Sequence, residues 1–380
     1  MSAMIYLDNA ATTRPSAAVI KAMTAVMEEG FHNPSSLYAP GVAARKKLEA
    51  CRDLIAGRLS AKEVLFTSGG TEADNLAILG LLQHRKRSGR VLYSAVEHSA
   101  VAAACQSLKD RYDVQQMSVD ENGILSLEAA EKLMTADTVM VCVMQVNNET
   151  GAIQPIQELI RIRNANCPEA HLHVDGVQGF LHLDTCLQDG INSYALSAHK
   201  FHGPKGVGAL ALGGNVRLQP LLYGGKQENS LRAGTENTYG ILGMMAAILD
   251  DPVDASAMRR LKIRFVDAVL SSIPEAQVNG PDPNASDACD HIVNLSFPPV
   301  QAQTMMHALE AEGVLVSQGS ACSSRKKASS ATLKAMGLAQ ARMDSALRFS
   351  FSRFTTQDEV DQAAAACARV YKALRPFTRR

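Results

Sequence analysis

No Cys-x-x-Cys pair occurs in this chain, although it holds eight cysteines, at positions 51, 105, 142, 167, 186, 289, 322 and 367. That absence argues against a zinc ribbon or a thioredoxin-like motif, and the scatter offers no disulfide framework. Net charge is absent too: the formal balance is zero, charged residues make up 20%, and no basic block exceeds Arg325-Lys326-Lys327. A nucleic-acid binder would show a basic stripe, so direct nucleic-acid binding is not expected. Apolar runs stop short of the roughly 18 residues that a membrane helix needs. The start, Met-Ser-Ala-Met-Ile-Tyr-Leu-Asp-Asn, has no basic flank leading into an apolar core. The expectation is a soluble, unexported, cytoplasmic protein. Internal repeats and low-complexity segments are missing as well.

What is present is an alternation. Ser16–Glu29, Gly41–Leu59, Glu72–Leu82 and Ile156–Ala165 read as helices. Glu63–Thr67, Val91–Ala95, Val139–Val146, Leu172–Asp175, Tyr194–Ser197 and Val207–Ala211 read as strands between them. Strands alternating with helices predict an α/β fold with a mostly parallel sheet covered on both faces, whose ligands collect at the carboxyl ends of the strands. At 380 residues the chain exceeds the size at which one core keeps growing, so two domains are expected. Composition changes at Asp250-Asp-Pro-Val-Asp254. After it the pattern predicts a helix over Ala255–Ile273, strands over His291–Ser296, Val314–Ser317 and Ala346–Phe351, and a capped final helix over Gln357–Leu374. The expected division is a large cofactor-binding domain over 16–255, with 1–15 and 256–380 forming a small domain.

The segment with most chemistry is Ser193-Tyr-Ala-Leu-Ser197-Ala-His199-Lys200-Phe-His-Gly203-Pro-Lys-Gly206. It puts one lysine where a strand runs into a glycine-rich loop, the setting for a Schiff base with an aldehyde cofactor. Upstream, His171-Leu-His173-Val-Asp175-Gly-Val-Gln178 is an alternating segment that ends in a carboxylate, the expected partner of a pyridinium nitrogen in pyridoxal phosphate enzymes. The His-x-His pair invites a metal reading, but no third ligand is evident, so packing is the better one and no metal is expected. Thr67-Ser-Gly69-Gly70-Thr71-Glu72 reads as a strand, a turn and a helix start whose N–H groups suit an anion. His98 follows an apolar strand and would face the same ligand end. Asn147-Asn148-Glu149-Thr150-Gly151 ends the buried strand. Cys322 lies in a polar loop beside three cations, which favour a thiolate; the other cysteines sit in apolar or alanine-rich surroundings, as small buried hydrophobes do.

In combination these segments resemble the cysteine desulfurases of the NifS and IscS type, within the class V aminotransferase family of fold-type I pyridoxal phosphate enzymes. The resemblance runs nearly end to end. It rests on Tyr6-Leu-Asp-Asn-Ala-Ala-Thr-Thr13, Asn33-Pro-Ser-Ser36, Phe66-Thr-Ser-Gly-Gly-Thr-Glu72, Val96-Glu-His98, Asn147-Asn-Glu-Thr-Gly151, Val174-Asp-Gly-Val-Gln178, Ser197-Ala-His-Lys200, Arg232-Ala-Gly-Thr235, Gly319-Ser-Ala-Cys322 and Arg348-Phe-Ser-Phe-Ser-Arg-Phe-Thr-Thr356. It implies a seven-stranded, mostly parallel large domain and a smaller α+β domain carrying a mobile Cys322 loop. It implies further that Lys200 forms the Schiff base, Asp175 pairs with the ring nitrogen, and His98 stacks on the ring and moves protons. Gln178 and Asn148 would meet the phenolic oxygen; Gly70, Thr71, Ser197 and His199 the phosphate; and Thr235 the phosphate of the neighbouring subunit in a homodimer. Arg348, with Asn148, would hold the carboxylate of L-cysteine, and Cys322 would take the sulfur and pass it to an acceptor protein, for iron-sulfur assembly or for tRNA or cofactor thiolation. A selenocysteine lyase or another class V activity on the same scaffold, and a scaffold without catalysis, are the alternatives. The chain departs from the common pattern at Gly224-Gly-Lys-Gln-Glu-Asn229-Ser230, and after Cys322, where it has Lys326-Lys-Ala-Ser-Ser330 and a proline is frequent.

Overall fold

The strand Thr138–Met144 is apolar after its first residue and buried at every position, so it needs cover on both faces, and it lies in the interior of the main sheet. A computed structural model describes residues 4–83, 85–214, 216–250, 254–319 and 330–378. In it seven strands run in the spatial order Glu63–Thr67, Gly208–Leu212, Ser193–Ser197, His171–Asp175, Thr138–Met144, Arg90–Ser94, Asp113–Met117. Only Gly208–Leu212 is antiparallel to its neighbours; the others point the same way. Helix Gly70–Leu82 packs against several of these strands.

A second, antiparallel sheet joins Gln277–Asn279, Ile292–Ser296 and Ala346–Ser350. It has its own apolar cluster, in which Phe265, Phe297, Phe349 and Phe351 pack edge to face or tilted. Helices Ala255–Ser272 and Gln357–Leu374 pack together over it, and the latter begins with the expected capping box, Thr356 and Glu359 exchanging side-chain bonds with each other's backbone N–H. The short strand Ile5–Tyr6 pairs in parallel with Val314–Leu315. Beyond it the chain crosses to the main sheet, held by bonds from Asn9 Nδ2 to the Ser350 carbonyl (2.9 Å) and from Ala10 N to Ser350 Oγ (2.8 Å).

Boundaries differ from expectation in small ways. The helix read from Gly41 starts at Ala39, with Pro40 in its first turn, where a missing N–H costs nothing. The strand read over Val314–Ser317 is two residues long, followed by a single bridge from Ser317 to Arg348. No helix among the described residues is long and apolar enough to cross a membrane.

Candidate active site

Five strands that share one direction end at Thr67, Ser94, Met144, Asp175 and Ser197. The residues just beyond those ends converge on one cavity of about 230 Å³, lined by Gly70 and Thr71, His98, Val146 and Asn148, Val177 and Gln178, and His199 and Lys200, with Arg348 arriving from the second sheet. Asp175 and Ser197, the last residues of their strands, line it as well. Gly69 takes φ +154°, and a Cβ on Gly70 would lie 2.6 Å from Val177 Cγ2, so glycine is needed for the helix to start this close to the wall.

The Lys200 ammonium donates to the carbonyls of Ala10 (2.7 Å) and Ala11 (3.0 Å), so the N-terminal crossing segment holds the amine. Gln178 Nε2 donates to the same Ala10 carbonyl at 2.9 Å. Asp175 is buried, and its Oδ1 accepts from Val177 N at 3.0 Å. Burial pushes its carboxyl up, while His98, that N–H and Lys200 pull it back. His98 caps helix Ser99–Gln106 by accepting from Ala100 N through Nδ1 at 3.2 Å, which leaves Nε2 to carry the ring proton. Burial, with Lys200 nearby, lowers the His98 pKa and favours the neutral ring. His199 Nδ1 lies 3.1 Å from Thr12 Oγ1, and burial and Lys200 draw its pKa down to about 4.

Arg348 is 1% exposed in its side chain and pairs with Asp8 Oδ1 at 2.7 Å, while its other terminal nitrogen donates to the Asn148 carbonyl at 2.8 Å. Its Nε is buried without a partner among the described residues. A guanidinium already stripped of water in this way meets a ligand carboxylate at little further desolvation cost. Thr235 is exposed and does not line the cavity of its own chain, and Cys322 lies outside the described residues. His171 and His173 pack as expected, both bonded to Ser193 Oγ (2.7 and 2.8 Å). Cysteines 51, 105, 142, 167, 289 and 367 are buried and Cys186 is half-buried.

Two residues in or beside the site were given no role in the motif reading. Asp74 lines the cavity one helical turn after Gly70; the i, i+4 spacing puts both on one face, a cue available from sequence once the helix start is known. Glu149 is buried, accepts from Ser330 Oγ at 2.6 Å and has its carboxyl raised chiefly by burial. Its Oε2 would lie 2.9 Å from a Cβ on Gly319.

The donor set fits pyridoxal phosphate. An amine at a strand end, a buried carboxylate opposite, an imidazole on the wall and a glycine-started helix match, in turn, the aldehyde, ring nitrogen, ring face and phosphate of that group.

Comparison with known proteins agrees with this arrangement. The family model described as aminotransferase class-V matches residues 5–363. A cysteine desulfurase IscS of Dictyoglomus turgidum is 36% identical, over all of this chain and 97% of its own length. A putative cysteine desulfurase IscS 1 of Bacillus subtilis is 37% identical over 97% of this chain and 99% of its own. Among solved structures, a NifS-like protein superposes with a TM-score of 0.90 at 30% identity, covering 98% of this chain and 100% of that one. SspA in complex with cysteine superposes with a TM-score of 0.81 at 30% identity, covering 92% and 99%.

Proposed function

The chain belongs to the class V aminotransferase family and is a pyridoxal phosphate-dependent cysteine desulfurase, and we propose which of its residues do the work. The observation that carries the assignment is the single cavity in which Lys200, Asp175, His98 and Arg348 meet at the carboxyl edge of the sheet. Bound there, pyridoxal phosphate supplies an aldehyde for the Lys200 amine and a ring that draws electron density from the substrate Cα. Gly70, Thr71, Ser197 and His199 would hold its phosphate, Asp175 would pair with its ring nitrogen, and Gln178 and Asn148 would meet its phenolic oxygen. Arg348, kept in place by Asp8, binds the carboxylate of L-cysteine through the N–H groups that Asp8 and the Asn148 carbonyl leave over. Lys200 takes the Cα proton, and neutral His98, with its Nε2 free of the capping bond, stacks on the ring and handles the thiol proton. The Cys322 thiolate then attacks the substrate sulfur: an S–S bond forms, the Cβ–S bond breaks, and its electron pair stays with the carbon skeleton that leaves as L-alanine. The persulfide sulfur passes to an acceptor protein.

The same proposal makes the enzyme a cytoplasmic homodimer in which exposed Thr235 reaches the partner's phosphate, with residues 16–255 as the cofactor domain and 1–15 plus 256–380 as the domain that carries Cys322. The deciding experiment is Cys322→Ser. It should bind pyridoxal phosphate, show a spectral response to cysteine and release essentially no alanine. Turnover at the parental rate would remove the nucleophile role; lost cysteine turnover with selenocysteine cleavage retained would favour the lyase alternative.

A further inference from the structure

Asp74 is 1% exposed, lines the cofactor cavity, and has ligand atoms within 4.8 Å of those of both His98 and Asp175. Its Oδ1 lies 3.1 Å from His173 Nε2; His173 Nδ1 lies 2.8 Å from Ser193 Oγ; and that hydroxyl lies 2.7 Å from His171 Nε2. All four residues are buried, so these contacts form one closed row from the cavity wall into the sheet.

Hydrogen counting along the row restricts it to two arrangements. Ser193 Oγ has one proton and sits between two imidazoles. If that proton points to His171, then His173 donates through Nδ1, its Nε2 is a bare acceptor, and Asp74 must supply an O–H. If it points to His173, then Nε2 carries a proton and Asp74 Oδ1 accepts. In the second arrangement an ionised Asp74 has no cation: its one ion-pair partner among the described residues is His173, which burial holds near pH 3 and therefore neutral. Two histidines face Asp74 from other elements, His173 and His98, and burial lowers the pKa of both and favours their neutral rings; the remaining groups, Asp175, Glu97 and Cys105, each oppose a negative charge there. Asp175, in contrast, has the Val177 N–H, His98 and Lys200 to favour its charge. Two carboxylates this close in a dry wall do not both ionise.

We propose that Asp74 is a positioning residue kept as a neutral carboxylic acid that donates to His173, so that Asp175 alone carries the negative charge of the wall facing the cofactor ring. Buried Ser193 and His171 hold His173 in the tautomer that accepts. The proposal rests on the reading that this cavity holds pyridoxal phosphate. A neutral Asp74 leaves the ring nitrogen with one anion, hydrogen-bonded and directional, rather than a pair whose shared proton blurs which of them pairs with the ring.

The test is carboxyl protonation in the cofactor-free protein, by aspartate-selective ¹³C NMR with Asp74→Asn as the assignment reference, followed by cofactor titration of the variants. The Asp74 carboxyl should keep the shift of a protonated acid from pH 5 to pH 9. Asp74→Asn, neutral and still a donor to His173, should bind pyridoxal phosphate within about threefold of the parent, with the pH dependence of its visible band unchanged. Asp74→Leu, which fills the space but cannot donate, should shift that pH dependence, a change that Asn rescues and simple packing would not produce. An Asp74 resonance that titrates through the usual carboxylate range overturns the proposal, as does a tenfold or greater loss of affinity in Asp74→Asn. If Asp74→Asn does not fold, the titration of the parent protein, assigned through Asp74→Glu, still decides. Should the parent fail to bind pyridoxal phosphate at all, the functional reading falls while the protonation result stands by itself.

Discussion

An amine that must exchange partners during a reaction is better held by carbonyl oxygens than buried among apolar atoms, and Lys200 rests on Ala10 and Ala11 in that manner. Lys200→Ala should leave a folded protein that takes up pyridoxal phosphate without a covalent link. Borohydride treatment followed by mass spectrometry should add the cofactor mass to the parent and not to the variant. Arg348→Lys should raise KM for cysteine by roughly tenfold to a hundredfold with a smaller change in kcat, because a point charge replaces a planar donor; steady-state kinetics checks the split. Most motif residues were legible in sequence because they end or follow a strand, or open a helix, in a recognisable local pattern; Arg348, inside strand Ala346–Ser350, was reached through the resemblance alone. Asp74 was passed over: its spacing from Gly70 places it on the cavity face, but only the three-dimensional neighbourhood of Asp175 and His173 gives its carboxyl a meaning.

Elements with a clear period were read within a few residues, and those without one were passed over. Strand Asp113–Met117 is an edge strand whose outer positions are polar and half exposed, so it shows no apolar run. Helix Thr238–Leu249 is apolar all round because it is buried among other helices, which removes the amphipathic stripe. Within Gly224–Ser230, Glu228 and Asn229 have a structural account; nothing in the structure explains Lys226 or Ser230. Glu228 is buried and takes a two-pronged bond from Arg52 (2.8 and 3.0 Å) and a third from Phe66 N (2.8 Å), while Asn229 adopts the left-handed conformation that asparagine tolerates. This segment is therefore anchored to the strand that leads into the Gly69-Gly70 turn. Glu228→Leu should destabilise the protein by about 3 kcal/mol, since Arg52 and the Phe66 N–H lose their acceptor together; the urea midpoint measures it.

At the scale of the whole molecule, buried histidines set an acid limit. His182 and His291 stack at 3.9 Å, and burial draws His291 down to about 4. The unfolded chain protonates this histidine near pH 6.5 and the folded one does not, so its contribution to stability is full above about 6.5 and is lost as pH falls toward 4, at about 1.4 kcal/mol per pH unit. Asp74 and Glu97, raised by burial, act with the opposite sign, favouring the fold at low pH and opposing it as pH rises through the ordinary carboxylate range. Comparing parent with His291→Phe isolates one group: the variant should show the shallower loss of stability between pH 6.5 and 5 in urea unfolding. Thr235→Ala tests the proposed dimer, with weaker cofactor retention expected and sedimentation unchanged; a fully active monomer at low concentration would contradict the proposed shared site.

The crossing segment also has a consequence for how the protein is made. Asp8, Asn9 and Ala10 bond to Arg348 and Ser350 across more than 330 positions, and Ala10 and Ala11 hold the catalytic amine. Segments more than 330 positions apart thus meet on the same wall of the chamber. A growing chain on the ribosome cannot complete that wall until residues 348–350 have left the exit tunnel, long after the main sheet has been synthesised. Synthesis products broken off before that point keep most of the sheet and lack the clamp. The carbonyls that hold Lys200 are therefore fixed in place only once the segment at 348–350 is there to bond Asp8, Asn9 and Ala10.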